Sequence, residues 1–288
     1  MTVFNFGSIN IDHFYRLPHL PGPGETLAAT GYDRGLGGKG ANQSVAAHRA
    51  GADVVHIGMV GPDGSGRREL NGFGVDVRFV GTEGRVTGHA NVHVDAAGEN
   101  MIVVLPGANH EQSLTLLKSA LAEARPGDHF MLQGEANLGA EAAALAREAG
   151  CFVTYSAAPF KPARVAEMLP LCDLVAVNSV EAQQMAAHMG VTVDALPIAN
   201  LLITDGAKGA RWRGDEVIDQ PAFAVEAVDT TGAGDCFIGT VIAALDQGAG
   251  RAEALRRGAG AAALQVTRPG TADAMPTADE VAAFLDGR

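Results

Sequence analysis

Short apolar runs alternate with alanine-rich stretches along most of this chain, and that alternation constrains its fold more than any other feature. VFNFGSI, ADVVHIGMV, DHFMLQG, CFVTYSA, DLVAVN and ANLLIT are too short for helices and dense in apolar side chains, as strands buried on both faces are. GANQSVAAHRAG, LGAEAAALAREAG and SVEAQQMAAHMG read as helices that stop at a glycine. Strands that alternate with helices need crossover connections. The expected fold is therefore α/β, a mostly parallel central sheet covered by helices on both faces. No repeat, low-complexity tract or linker divides the chain, so one domain is expected over residues 1–288.

Two stretches break the alternation. Residues 12–35 hold a Pro-Gly turn between extended segments, and residues 86–105 read as a hairpin about DAAGEN. In its first arm Ala90, Val92 and Val94 share one face, while His89, Asn91 and His93 share the other. Those histidines have no evident third ligand for zinc, so a polar outer face is the better reading. Together the two insertions are expected to form a small β-sheet lid over the ends of the parallel strands, where open α/β sheets bind ligands.

Charge and cysteine usage narrow the function. A net charge of −12 repels phosphate backbones and argues against a nucleic-acid partner, although local amides and a metal can still hold a small anion. Cys151, Cys172 and Cys236 are scattered with no CxxC, as expected of reduced thiols in the cytoplasm. No apolar run approaches the roughly 18 residues that span a bilayer, and the first residues lack a signal-type pattern.

The chemistry-bearing motifs cluster at strand ends and glycine turns. In DTTGAGDCFIG, Gly232, Ala233 and Gly234 precede a helical pattern and would present free amides and the positive end of a dipole to an anion. Asp235 follows. It is either a helix cap or a base for an attacking hydroxyl, and the dipole should favour its ionised form. Phe237 stands where a dinucleotide fingerprint needs its third glycine, and no Walker-type phosphate loop occurs. GLGGKGANQ is a second glycine turn before a helix, with Lys39, Asn42 and Gln43 in it; Asn42 offers a donor and an acceptor to a polyol. Asn10 and Asp12, two apart where the first strand leaves the core, and Glu135, after HFMLQ, suit sugar hydroxyls. Asn178 and Glu181 have capping-box spacing; their oxygens could also organise waters around magnesium.

Taken together these residues resemble the ribokinase-like carbohydrate kinase (PfkB) family. GGKGANQSVAAHRAGADVVHIGMVG is similar to its N-terminal signature and DTTGAGDCFIG to its C-terminal one, and the likeness runs from GSINID to VTRPG. The resemblance implies ATP-dependent phosphorylation of a sugar hydroxymethyl group, with ribose the leading substrate and Mg²⁺ as cofactor. It makes Asp235 the catalytic base, with Gly232, Ala233 and Gly234 as the anion hole. It assigns Asn10, Asp12, Gly38, Lys39, Asn42 and Glu135 to ribose, and Asn178 and Glu181 to magnesium and phosphate. Nucleotide contacts fall to Asn178, Gly234, and Thr204, Gly206, Lys208 and Gly209 of TDGAKG. Asp229, Thr231, Arg268 and Gly270 match a monovalent-cation loop, so K⁺ is implied. Ala274 replaces a common serine there, Cys236 replaces a more usual threonine or alanine, and the segment from Asn178 to Thr204 is short. A nucleoside kinase of the same family would need an aromatic partner for its base, for which the lid supplies Phe14 and Tyr15. A non-catalytic sugar- or nucleotide-binding regulator would have no need of Asp235. The apolar lid face of Ala90, Val92 and Val94 could cover substrate or pair two subunits, so a homodimer is expected.

Overall fold

The computed structural model describes residues 1–288. The strands are β1 (Thr2–Phe6), β2 (Asn10–Arg16), β3 (Gly31–Gly37), β4 (Asp53–Met59), β5 (Asp76–Gly81), β6 (Gly88–Val94), β7 (Asn100–Leu105), β8 (His129–Gln133), β9 (Phe152–Ser156), β10 (Leu174–Asn178), β11 (Leu201–Thr204), β12 (Ala210–Arg213) and β13 (Val217–Gln220). The helices are α1 (Lys39–Arg49), α2 (Arg67–Gly72), α3 (Leu114–Leu121), α4 (Gly139–Glu148), α5 (Pro162–Met168), α6 (Ser179–Met189), α7 (Ala233–Asp246), α8 (Arg251–Gln265) and α9 (Ala278–Asp286).

A nine-stranded sheet runs in the order β13-β12-β11-β10-β9-β8-β1-β4-β5. Its pairings from β5 across to β11 are parallel, and only β11–β12 and β12–β13 are antiparallel. Alternate residues of each strand feed opposite cores, as a two-sided sheet requires. Val3 and Met131 pack with α1, α7 and α8 through Val45, Val241 and Leu255; Phe4, Phe6 and Phe130 pack with α3 to α6 through Leu117, Ala142, Val165 and Ala182. The mostly parallel, doubly covered sheet read from the alternation is the one observed. The β12–β13 hairpin was not legible, because its exposed face carries charge, Arg211 paired with Asp219, and only Trp212 is deeply buried. No helix is long and apolar enough to cross a membrane.

The insertions form a separate four-stranded sheet, β3-β2-β6-β7. One assignment needs correction. Asn10 and Asp12 do not end the first core strand; they open β2 of the lid sheet, where Asn10 pairs with Gly37 and Gly88. Gly7 still pairs with Ile57, but the Ser8 carbonyl accepts from the Ala41 amide of α1, and Gly40 lies so close that a Cβ there would sit 2.5 Å from the Ser8 amide. The chain is thus turned out of the core sheet after Ser8. Asp95 closes the β6–β7 hairpin by accepting from the Ala97 and Glu99 amides. A similar close approach joins α1 to α7, where a Cβ on Gly239 would come within 2.7 Å of the Ala46 methyl. That contact brings the first turns of the two helices together.

Candidate active site

The strand order reverses between β1 and β8, and the crevice beyond their carboxyl ends is where an open α/β sheet places ligands. A larger cleft of 690 Å³, lined by Met1, Asp53, Asp76 and Asp128, lies at the amino ends of the strands instead. In the crevice Asp235 occupies the first turn of α7. The preceding Gly232 has φ 77°, a left-handed conformation that favours glycine, and the Gly234 and Asp235 amides meet no protein acceptor. The Asp235 carboxylate accepts from Gln43 Nε2 at 3.0 Å and from Asn42 Nδ2 at 3.2 Å. Burial pushes its pKa up; Lys39, Gln43 and Asn42 pull it back without cancelling the rise. The helix dipole therefore does not leave Asp235 more acidic than usual, contrary to the expectation from its position. Desolvation, with Glu135, outweighs the pull of Lys39, Gln43 and Asn42, which makes the carboxylate a better proton acceptor.

The residue that orients Asp235 was missed from the sequence. Gln43 accepts from Gln133 Nε2 at 2.8 Å, and the same nitrogen donates to Asn5 Oδ1 at 2.9 Å. Asn5 in turn donates to Gly40 O and Ser44 Oγ. With its oxygen engaged, the Gln43 amide has only its N–H side left for Asp235. The available signal was a set of polar residues at core positions of apolar runs: Asn5 in VFNFGSI and Gln133 in DHFMLQG. Cys236, by contrast, is fully buried and its thiol is pushed up to about 12 by burial, so it is packing.

Toward the lid, Asp12 has its pKa raised to about 6 by burial and then by Glu135, and its Oδ1 is buried with no partner. Asn42 Oδ1 is likewise buried and unpartnered. Asn10 is buried and its Oδ1 accepts from Asn109 Nδ2 at 2.7 Å. Glu135 accepts from Ser8 Oγ and, at 3.0 Å, from the Lys39 amide, tying the glycine turn to β8. Gly38 has φ 89° and packs against the Ser8 and Asn10 backbone. Lys39 is half-buried rather than a solvated surface lysine, and the Asp235 carboxylate, with Glu135 and Glu181, holds its pKa above the ordinary value.

Behind Asp235 two cavities share Thr204, Thr230, Ala233 and Gly234. One, of 320 Å³, is lined by Lys39, Asn178, Glu181, Gly232 and Asp235. The other, of 590 Å³, is apolar and lined by Gly206, Gly209, Phe223, Val225, Phe237 and Ala262, among others. Its walls come from the turn before β12, the segment after β13, α7 and α8. Lys208 points elsewhere: it is exposed and pairs with Asp205 at 3.0 Å, while Gly206 and Gly209 line the apolar cavity. Asn178 and Glu181 form a complete capping box on α6, which engages only one oxygen of Glu181. No three His, Cys, Asp or Glu side chains are clustered to hold a metal.

The loop before Gly232 is tied by Asp229, which accepts from the Thr231 amide at 2.9 Å and the Gly270 amide at 3.0 Å. Burial would raise its pKa, but the Thr231 and Gly270 hydrogen bonds outweigh that and hold it low. The K⁺ site expected at Asp229, Thr231, Arg268 and Gly270 meets a donor from the chain itself. Gln265 Nε2 donates to Thr231 O at 2.8 Å and to Gly270 O at 3.1 Å, and the Arg268 guanidinium pairs with Glu280 and reaches the Ala274 carbonyl at 3.5 Å. These residues do not fit a bound monovalent ion.

Residues 2–278 match the model of the pfkB family carbohydrate kinases. The chain is 36% identical to a ribokinase of Haemophilus influenzae, over 99% of this chain and 98% of that one. Its fold matches a ribokinase of Thermotoga maritima with a TM-score of 0.88 at 30% identity, over 99% of both chains. It also matches an Arabidopsis thaliana ribokinase complexed with ribose and ATP, with a TM-score of 0.83 at 26% identity, over 99% of this chain and 98% of that one. A core sheet with a smaller second sheet, two glycine turns facing one buried aspartate, and a full-length family match lead to one conclusion: the chain belongs to the pfkB family of carbohydrate kinases.

Proposed function

We propose that the chain transfers the γ-phosphoryl group of ATP to the hydroxymethyl oxygen of a small sugar, with ribose the leading substrate. The observation that carries the reading is the position of Asp235. It is bonded on one side to Asn42, whose free oxygen faces no protein donor, and lines on the other a cavity with Lys39, Gly232 and Gly234. Asp12 and Asn42 offer buried, unpartnered oxygens that a polyol would satisfy, and buried polar atoms favour a ligand that pairs them. The ribokinase relatives, one of them complexed with ribose and ATP, support the same choice.

In this reading Asp235 takes the hydroxymethyl proton as that oxygen attacks phosphorus. The Gly234 and Asp235 amides and the Lys39 ammonium meet the charge spread over the transferring group. Thr204, Gly206, Gly209 and the apolar cavity take the nucleotide base. Asn178 and Glu181 would hold Mg²⁺ through its waters, and the ion supplies charge neutralisation between the phosphates when bound. The lid excludes water that would otherwise hydrolyse ATP. On the lid, Tyr15 stacks with His93 and packs near Tyr32 on the face away from Asp12, so only Phe14 is left to meet a nucleobase.

The homodimer belongs to the same proposal, with a changed surface. Ala90 is buried, whereas Met101–Leu105 of β7, an open edge strand, are all exposed. Such an edge invites a second copy. The free thiols of Cys151, Cys172 and Cys236 suit a cytoplasmic enzyme. A coupled ADP-release screen over ribose, deoxyribose, fructose, ketodeoxygluconate and nucleosides tests the substrate. Ribose is expected to give the highest kcat/KM; a nucleoside ahead of ribose overturns that choice.

A further inference from the structure

We propose that the Gln265 side-chain amide is a built-in replacement for a monovalent cation, so that this kinase works without one. The carbonyls of Thr231 and Gly270 converge on a single point beside the Asp229 carboxylate. Convergent carbonyl dipoles repel unless something positive lies between them, and a K⁺ ion ringed by carbonyl oxygens is one solution. Here Gln265 Nε2 lies there instead, with its two N–H groups directed one to each carbonyl at 2.8 and 3.1 Å. Gln265 is wholly buried, and its Oε1 finds no partner. That choice matters, because an oxygen turned to the carbonyls would be the arrangement that calls for a cation. Nearby, Ala274 brings no side-chain oxygen, and Arg268 and Glu280 neutralise one another. The Asp229 carboxylate has both oxygens committed to amides.

The position gives the amide leverage on the reaction. Thr231 directly precedes Gly232, the left-handed residue that aims the Gly234 and Asp235 amides into the phosphate cavity. Whatever fixes the Thr231 carbonyl fixes that turn. The part a dissociable ion would play is thus covalently attached at the end of α8, and the turn is set before any ligand arrives.

The inference rests on the kinase reading only for its kinetic arm, so two readouts are used. First, the nucleotide-free protein, freed of K⁺ and NH₄⁺ in a tetramethylammonium buffer, is melted with increasing KCl at constant ionic strength. No change in Tm is expected. Second, turnover with ATP, Mg²⁺ and the best sugar is followed over the same series, and it should stay within about twofold. A K⁺-specific rise in Tm, or a tenfold rise in turnover, overturns the proposal. If no sugar supports turnover, the melting series still decides it. Gln265→Ala and Gln265→Glu should each gain a K⁺-dependent Tm and turnover, because the two carbonyls then lack a donor. A folded variant that stays indifferent to K⁺ also overturns the assignment. Should both variants fail to fold, the two titrations of the parent protein decide between the outcomes.

Discussion

The two ends of the cleft are built from different materials. The lid end is made of side chains: Asp12, Asn10, Asn42, Glu135 and Lys39, several of them with their oxygens or charges held in the interior. The far end is made of backbone and small apolar groups, with Gly206, Gly209, Ala262 and Phe237 around a 590 Å³ cavity. In the proposed function one end recognises by charge and hydrogen-bond direction and the other by shape. Substitutions should therefore act on different kinetic constants at the two ends, and Asp235, between them, should act on the chemical step alone.

The largest effect is expected at that junction. Asp235→Asn should lower kcat by about 10³-fold or more while leaving sugar affinity within a few fold, as loss of a general base does. Near-parental turnover in a steady-state assay would remove Asp235 from the role. Next, Asp12→Asn should raise the sugar KM about 10- to 100-fold, the scale of a hydrogen bond to a charged group, with little change in KM for ATP. Its pH behaviour follows from the direction of the shift. The carboxyl is raised from 3.8 to about 6, so the folded state holds the proton longer and loses stability as pH rises through that window. Asp12→Asn should accordingly melt higher than the parent at neutral pH, with the difference vanishing below about pH 4. Calorimetry across that range, with parent sugar binding tightening through about pH 6, checks both halves.

At the apolar end, Ala262→Leu should raise KM for ATP about tenfold through overpacking and spare the sugar KM. Equal changes in both constants would show that the ends are not separable. The smallest effect belongs to Lys208→Ala. Its ion pair with Asp205 is exposed, and both constants should stay within about twofold.

The same contrast explains what could be read from the sequence. The polar side chains of the lid end could be named from the sequence, because Asp12 or Lys39 announces itself by being polar at a strand or helix end. The apolar cavity could not be, because Ala262 and Val225 differ in no local way from the core positions of any helix or loop. Gln43 stood inside a motif and was passed over, since its role depends on Gln133 and Asn5, which only the sheet brings near. Gln265 was hidden for a similar reason: a glutamine at a helix end looks solvated until Thr231 and Gly270 close over it. Backbone direction misled once, at Asn10 and Asp12, because the Ser8 carbonyl bonds to α1 and the chain leaves the core sheet earlier than its apolar pattern required.

The amide chain behind Asp235 also bears on how the molecule assembles. Its bonds join residues separated by 90, 128 and 192 positions. Contacts of such sequence separation form late in folding, because large loops must close first. During synthesis Asn5, Gln43 and Gln133 can find one another once β8 has emerged, yet the Gln43 N–H group then has no carboxylate to meet until α7 arrives, about a hundred residues later. In the proposed function, a nascent chain halted before α7 would carry an almost finished sugar end and no base to react with.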